Sequence, residues 1–246
     1  KKKKQAYATH LLADARGILK IPSTLSFRQA SGIYLTYPTS YAALVVRANT
    51  QPGETVLVHA GAGGVGLAAI QIAKQLGATV IATASSPEKL KVMQENGADH
   101  VINYAADDYV KRIMDLTQRR GVDVVFDPVG EIEQSLKVAA WNARLVVVGF
   151  AKFPPGGSEK VATNRILLKN VAVMGVFWGN YRIHEPATVV KVWTQLLQWF
   201  EAKQLSPVVF PRSFVGLEST LDALTCLGSR ESYGKVVVDT QAVAKL

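Results

Sequence analysis

VLVHAGAGGVGLAAIQIAKQLG, residues 56 to 77, decides the fold. Val56 to Val58 form a short apolar run. Gly61, Gly63, Gly64 and Gly66 crowd a turn, and the residues after them recur with helical spacing. The stretch reads as a buried strand, a glycine turn and an amphipathic helix. Glycine at such a turn permits positive φ, or lets another backbone or a ligand come close to the main chain. A helix starting behind the turn presents unpaired N–H groups and the positive end of its dipole to an anion. The stretch therefore asks for a phosphate. Gly61, Gly63 and Gly66 satisfy G-x-G-x-x-G, and the pattern gains weight from its setting between a strand and a helix, with a second strand from Thr79. In that setting Gly61 makes the turn, Gly63 admits a pyrophosphate and Gly66 lets helix and strand pack closely.

Outward from this unit the pattern repeats. Residues 79–84 read as a strand followed by a helix from about Pro87 to before Gly97. Residues 100–104 precede a helix over about 107–118, 122–127 precede one over about 131–140, and 143–150 close the run. Strands apolar at nearly every position, separated by amphipathic helices, indicate a parallel sheet covered on both faces: a doubly wound α/β domain. The strand at 171–178 falls last in this alternation and is expected at a sheet edge. Residues 5–49 and 208–246 carry mixed, shorter elements, with strand-like 207–214 and 234–240 flanking a helix over 217–227. They bracket the α/β unit, as if it were inserted into another domain. The expected division is 1–49, 50–207 and 208–246. PPGG at 154–157 reads as a loop.

Composition narrows the function classes. The 246 residues are 48% hydrophobic and 19% charged, ordinary for a globular protein able to bury a sizeable core. No apolar run reaches the roughly 18 residues of a membrane span, and no apolar segment follows the charges of KKKKQAYATH, so the expected location is cytoplasmic. Cys226 is the only cysteine, which excludes an intrachain disulfide and a thiolate-rich zinc site. His10, His59, His100 and His184 are too scattered to form a recognisable ligand pair, and no metal site is expected. His59 reads as a partly buried turn residue. Four of the nine net positive charges are Lys1 to Lys4, a tail and not a groove, and no clustered basic face with interleaved aromatics marks a nucleic-acid site.

Selectivity among dinucleotides is set at the ribose end. A site for the unphosphorylated ribose places Asp or Glu at the end of the second strand. Here Ala84-Ser85-Ser86 stands there, with no acid between Thr79 and Pro87. Ser85, Ser86 and Lys89 suit a 2′-phosphate, for which hydroxyls and an ammonium are donors. The same residues also fit a helix N-cap and a solvated helix lysine. No nucleophile or carboxylate pair stands out; Asp127 reads as a turn former, and the catalytic residues are left open.

The glycine turn, ASSPEKL (84–90), GADHVINY (97–104), DPVG (127–130) and VFWGNY (176–181), in this order, resemble the medium-chain dehydrogenase/reductase superfamily. Within it the likeness is to zinc-independent quinone oxidoreductases, relatives of zeta-crystallin, and runs from Gln5 to Asp239. The resemblance implies a Rossmann domain inserted in a partial GroES-like, β-rich catalytic domain, of which 5–27 match the later part. Much of the N-terminal domain is expected to be missing, with activity impaired. It implies that Ala60, Gly63, Gly64, Val65 and Gly66 hold the pyrophosphate, and that Ser85, Lys89 and Tyr104 hold the 2′-phosphate of NADP. Thr39, Val129, Gly149, Phe150 and Ala151 would line the nicotinamide end, with Gly234 and Lys235 on a cofactor-contacting turn. Phe150 and Trp178 also fit plain core packing. Zinc-dependent relatives carry a cysteine ligand in the segment matching LTYPTSYAAL (35–44), and this chain has none there. The implied reaction passes a hydride from NADPH to a quinone or an α,β-unsaturated carbonyl. Two copies would pair through strand 171–178 as a homodimer. An NADPH-binding module without turnover and an RNA-binding protein are the alternative readings.

Overall fold

A computed structural model describes residues 7–154, 157 and 159–240. The tetralysine Lys1 to Lys4, and Pro155 and Gly156 of the expected loop, lie outside the described residues. Two helices, α1 (Phe27–Ser31) and α2 (Ile33–Tyr41), lead through a π-helical turn at Ala42–Arg47 into an alternating α/β run. That run is β1 (Thr55–Val58), α3 (Gly64–Gln75), β2 (Thr79–Ala84), α4 (Pro87–Glu95), β3 (His100–Asn103) and α5 (Tyr109–Leu116). It continues with β4 (Val122–Asp127), α6 (Ile132–Val138), β5 (Ala139–Val147), α7 (Thr163–Leu168) and β6 (Ala172–Gly175). Helices α8 (Trp178–His184) and α9 (Pro186–Glu201) follow. A short parallel pair, β7 (Phe214–Val215) and β8 (Val238–Asp239), encloses α10 (Thr220–Gly228).

The six-stranded sheet has the order β3-β2-β1-β4-β5-β6 and every pairing in it is parallel. The order reverses between β1 and β4, which opens a crevice at the C-terminal ends of the strands, where ligands of such sheets bind. Alternation along each strand feeds two cores. Val56, Val58, Val80, Ala82 and Phe126 join α2, α3, α8 and α9 on one face, whereas Leu57, Ile81 and Val125 join α5 and α6 on the other. Helix α3 is buried on nearly every side, including Leu67, Ile70 and Ile72. Truncating one of these to alanine costs about 2–5 kcal/mol.

Three local expectations are revised by packing. The helix expected over 131–140 ends at Val138, because Ala139 already pairs with Val122 and a register shift between Val122 and Val124 lets the next residues form a bulge in β5. Residues 27–47 form a nearly continuous helical stretch. Tyr37 donates to Gln71 Oε1 at 3.0 Å, Ser40 donates to the Val65 carbonyl at 2.8 Å, and the rings of Tyr37 and Phe200 meet edge to face, so this stretch packs directly on α3 and α9. Strand-like 207–214 pairs only at Val209 and Phe214–Val215, interrupted by Pro211. Among the described residues no helix is long and apolar enough to cross a membrane.

Candidate functional site

The turn between β1 and α3 departs from the usual account of its glycines. The residue with positive φ is Ala60, at 46°, while Gly63 is extended at φ −72° and ψ 167°. The glycines are required by close approach instead. A Cβ on Gly66 would lie 2.4 Å from the Ala60 carbonyl oxygen and 2.7 Å from that of Gly61. One on Gly61 would lie 2.5 Å from Met93 Sδ. Gly63 is the N-cap of α3 and makes no side-chain capping bond. The first-turn amides of this 12-residue helix therefore have no side-chain cap, and the Gly234 backbone runs beside them at Gly63.

These amides border a cavity of about 610 Å³ at the C-terminal edge of the sheet. Ala60, Gly63 and Gly64 form its floor. Ser85 and Lys89, after β2, and Tyr104, after β3, form one wall; Val129 and Ala151, after β4 and β5, stand at the other end. The structure thus gathers nine of the sequence-derived candidates around one space, these eight and Gly234. Gly61 and Gly66 lie beneath it as packing positions, and Val65 is the second residue of α3. Ser86 is the N-cap of α4 and makes no capping bond. Thr39 is buried within α2, and Gly149 and Phe150 follow β5 outside the lining, with Phe150 exposed. Gly234 lines the cavity. Lys235 instead runs beside Gly64, where an added Cβ would come within 2.8 Å of its Cδ. Trp178 is buried and stacked on Tyr181.

Sequence reasoning missed one wall. Leu227, Arg230, Ser232 and Tyr233 line the cavity from the chain's last third. They are brought there by a parallel bridge between Gly63 and Gly234 and by Lys89 Nζ, which donates to the Arg230 carbonyl. Arg230 has φ 60°. No local pattern announces this contact across more than 140 residues; the turn at Gly234 and Lys235 that the resemblance implies was its signal.

The inner wall is polar. His59 is buried, with Nδ1 3.3 Å from Thr83 Oγ1 and Nε2 2.9 Å from Ser135 Oγ. Burial holds its imidazole below the ordinary histidine range against the opposing pull of the Asp127 and Glu131 carboxylates, so the ring is neutral. Asp127 is fully buried and accepts from the N–H groups of Val129, Gly130 and Glu131 at 2.7–2.9 Å, the work of a turn former. Glu131 pairs with Lys152 Nζ at 2.8 Å. Among the described residues, no three His, Cys, Asp or Glu side chains cluster to hold a metal.

The cavity can hold an elongated, phosphate-bearing ligand: an anion site at the helix end, a cationic outer wall at Lys89 and Arg230, and an acidic inner wall. Comparison with known proteins agrees with that geometry. The zinc-binding dehydrogenase family matches residues 64–201. The chain is 36% identical over 224 residues to a quinone oxidoreductase-like protein 2 homolog of Nematostella vectensis, covering 90% of this chain and 60% of that one. It is 37% identical over 235 residues to quinone oxidoreductase-like protein 2 of Bos taurus, covering 94% and 66%. The chain thus spans less than two thirds of the length of these relatives. Among solved structures, the quinone oxidoreductase of Thermus thermophilus, described alone and in complex with NADPH, superposes with a TM-score of 0.78 at 36% identity, covering 90% and 69%.

Proposed function

The chain belongs to the zinc-independent, quinone oxidoreductase-like members of the medium-chain dehydrogenase/reductase superfamily, and from that premise we propose that it binds NADPH in this cavity and serves hydride transfer to a quinone or an α,β-unsaturated carbonyl. The observation that carries the reading is the pairing of an α3 N-terminus that has no side-chain cap with a β2 end that offers Ser85 and Lys89 in place of a carboxylate. Gly63 and Gly64 are the cradle. Both line the cavity without a side chain, so their backbone can be approached closely by a pyrophosphate.

The nicotinamide supplies the hydride when bound, and the chain's part is to bind, orient and exclude water. First-turn amides of α3 neutralise the pyrophosphate. Ser85, Lys89 and Tyr104, with Arg230 added, hold the ribose 2′-phosphate; Ser86 supports them from the cap of α4. Ala60, Gly61, Val65 and Gly66 fix the turn, and Lys235 braces it through Gly64. Thr39, Val129, Gly149, Phe150 and Ala151 form the nicotinamide end. Strand β6, exposed at the sheet edge, pairs with its copy in a homodimer.

Fluorescence titration of NADPH and NADH, followed by NADPH oxidation with an ortho-quinone, tests the reading. NADPH binding at least about tenfold tighter than NADH, with quinone-dependent oxidation, is the expected result. Binding without turnover would favour a nucleotide-binding module, and no binding of either nucleotide would overturn the reading.

A further inference from the structure

The inner wall of the cavity holds one side chain that its packing leaves unexplained. Tyr109, the first residue of α5, contributes its ring to the cavity lining and sets that ring edge-on to His59, with centroids 5.9 Å apart. Its hydroxyl oxygen is buried without a hydrogen-bond partner, one of three such side-chain atoms among the described residues. The neighbouring donors and acceptors are committed elsewhere: both His59 nitrogens, the Asp127 carboxylate and the Glu131 to Lys152 pair. A buried hydroxyl left unpaired is costly, and tyrosine in an apolar wall has no advantage over phenylalanine unless something engages the oxygen.

The charges around Tyr109 state what that partner is. Burial, then the carboxylates of Glu131, Asp127, Glu159 and Asp108, raise its pKa, so the phenol stays protonated and sits in a negative field. A phosphate is repelled from this wall and belongs with Lys89 and Arg230, which also line the cavity. A neutral group that donates N–H is favoured. On the adenylate half of a dinucleotide, the exocyclic amine of the purine is the group of that kind. With the pyrophosphate at Gly63 and Gly64 and the ribose at Ser85, the base has the uncharged surface of Ala84 to lie against.

We propose that Tyr109 is the residue that selects adenine, its hydroxyl turning from the wall into the cavity to accept a hydrogen bond from the purine amine. This rests on the nucleotide reading above and adds a preference for an aminopurine over an oxopurine. The rotation is available because the side chain is only half-buried and lies at the first turn of α5, and it relieves the unpaired oxygen.

The test compares binding of NADPH with its deaminated analogue, which carries hypoxanthine, on the full chain and on Tyr109→Phe. The wild type is expected to prefer NADPH by about tenfold, and Tyr109→Phe, which keeps the ring, to bind the two within about twofold. Reduced nicotinamide mononucleotide, which lacks the adenylate half, is expected to bind both proteins alike. Equal affinity of the wild type for the two dinucleotides, or an undiminished preference in Tyr109→Phe, overturns the inference while leaving the nucleotide reading in place. Failure of the wild type to bind NADPH at all removes both.

Discussion

The N–H of Gly234 donates to the carbonyl of Ala62 at 2.8 Å, and this one bond joins the C-terminal segment to the glycine turn far earlier in the chain. A parallel bridge between Gly63 and Gly234 extends the contact, and Lys235 continues it through the Val208 carbonyl. The segment thereby forms a rim over the N-terminus of α3 and carries Arg230, Ser232 and Tyr233 to the cavity. The cavity is assembled from two remote parts of the chain.

Gly234 cannot carry a side chain without giving up that bond. Its φ is +59°, and a Cβ would lie 2.5 Å from the Val208 carbonyl oxygen. Gly234→Val is expected to weaken NADPH binding about tenfold, roughly 1.4 kcal/mol, by releasing the rim. The sheet should survive, because no strand of it includes residue 234. Titration of NADPH beside a urea melt followed by far-UV circular dichroism checks both halves.

Gly66 is a stricter case. An added methyl would meet two backbone oxygens, Ala60 at 2.4 Å and Gly61 at 2.7 Å, neither of which can step aside as a flexible side chain would. Gly66→Ala is expected to cost about 3 kcal/mol of stability. Gly63→Ala, whose nearest obstacle is at 3.3 Å, should fold nearly as well and lose NADPH affinity. A urea midpoint lowered equally by both would refute this division of roles.

The sheet was legible because its central strands are apolar at most positions; β1, β2 and β4 lie where their β-branched runs predict. Helix α2 was not. Thr36, Tyr37, Pro38, Thr39 and Ser40 are consecutive and all buried, so no polar face marks the helical period, and Pro38 argues against a helix. Ala139 and Ala140 favour a helix by propensity, and pairing with β4 overrides it. Of the cavity lining, Gly63, Ser85 and Lys89 followed from the glycine turn and the β2 end, and Ala60, Gly64, Tyr104, Val129 and Ala151 from the family resemblance. Arg230, Ser232 and Tyr233 could not, because only the long-range bridge to Gly63 places them there.

Acid should destabilise the fold in two stages. His59 is neutral when folded and its pKa is lowered by burial, so the unfolded chain takes up a proton near pH 6.5 that the folded chain refuses. Its contribution is full above that pH and declines below it. For Asp99 burial raises the pKa, but hydrogen bonds from Lys74 at 2.8 Å and the Val80 N–H at 2.7 Å outweigh it and hold the carboxyl below the ordinary range. That contribution is full above about pH 4 and is lost as pH falls through the folded value. Urea midpoints measured from pH 8 to 3 should be level at first, slope below about 6.5 and fall faster below about 4. His59→Gln is expected to remove the first slope and keep the second.

Strand β6 leaves one side of its ladder unpaired, with Val173 39% exposed within it. Pairing of two copies would satisfy those backbone groups. Light scattering at micromolar concentration is expected to give twice the chain mass of 26.6 kDa. Val173→Glu, which brings two carboxylates together across the axis, is expected to give the monomer with an unchanged far-UV spectrum. A monomeric parent would end this assignment.

Cofactor preference is the sharpest test of the outer wall. On the proposed reading the α3 N-terminus serves any pyrophosphate, so discrimination would fall to Ser85, Lys89, Tyr104 and Arg230. Lys89 is the one whose ammonium also holds the Arg230 carbonyl, which fixes its direction along the wall. Charge-assisted hydrogen bonds of this kind contribute about 1.5–3 kcal/mol, so one lost bond is worth tenfold or more. Lys89→Glu is expected to weaken NADPH by well over tenfold and to leave NADH nearly unchanged, since the carboxylate it introduces is where a ribose 2′-hydroxyl finds its partner. Lys89→Met separates charge from packing: it should lose the preference without reversing it. Calorimetry giving equal affinities for NADPH and NADH in the unmodified chain would reduce Ser85 and Lys89 to the cap and solvated face of α4.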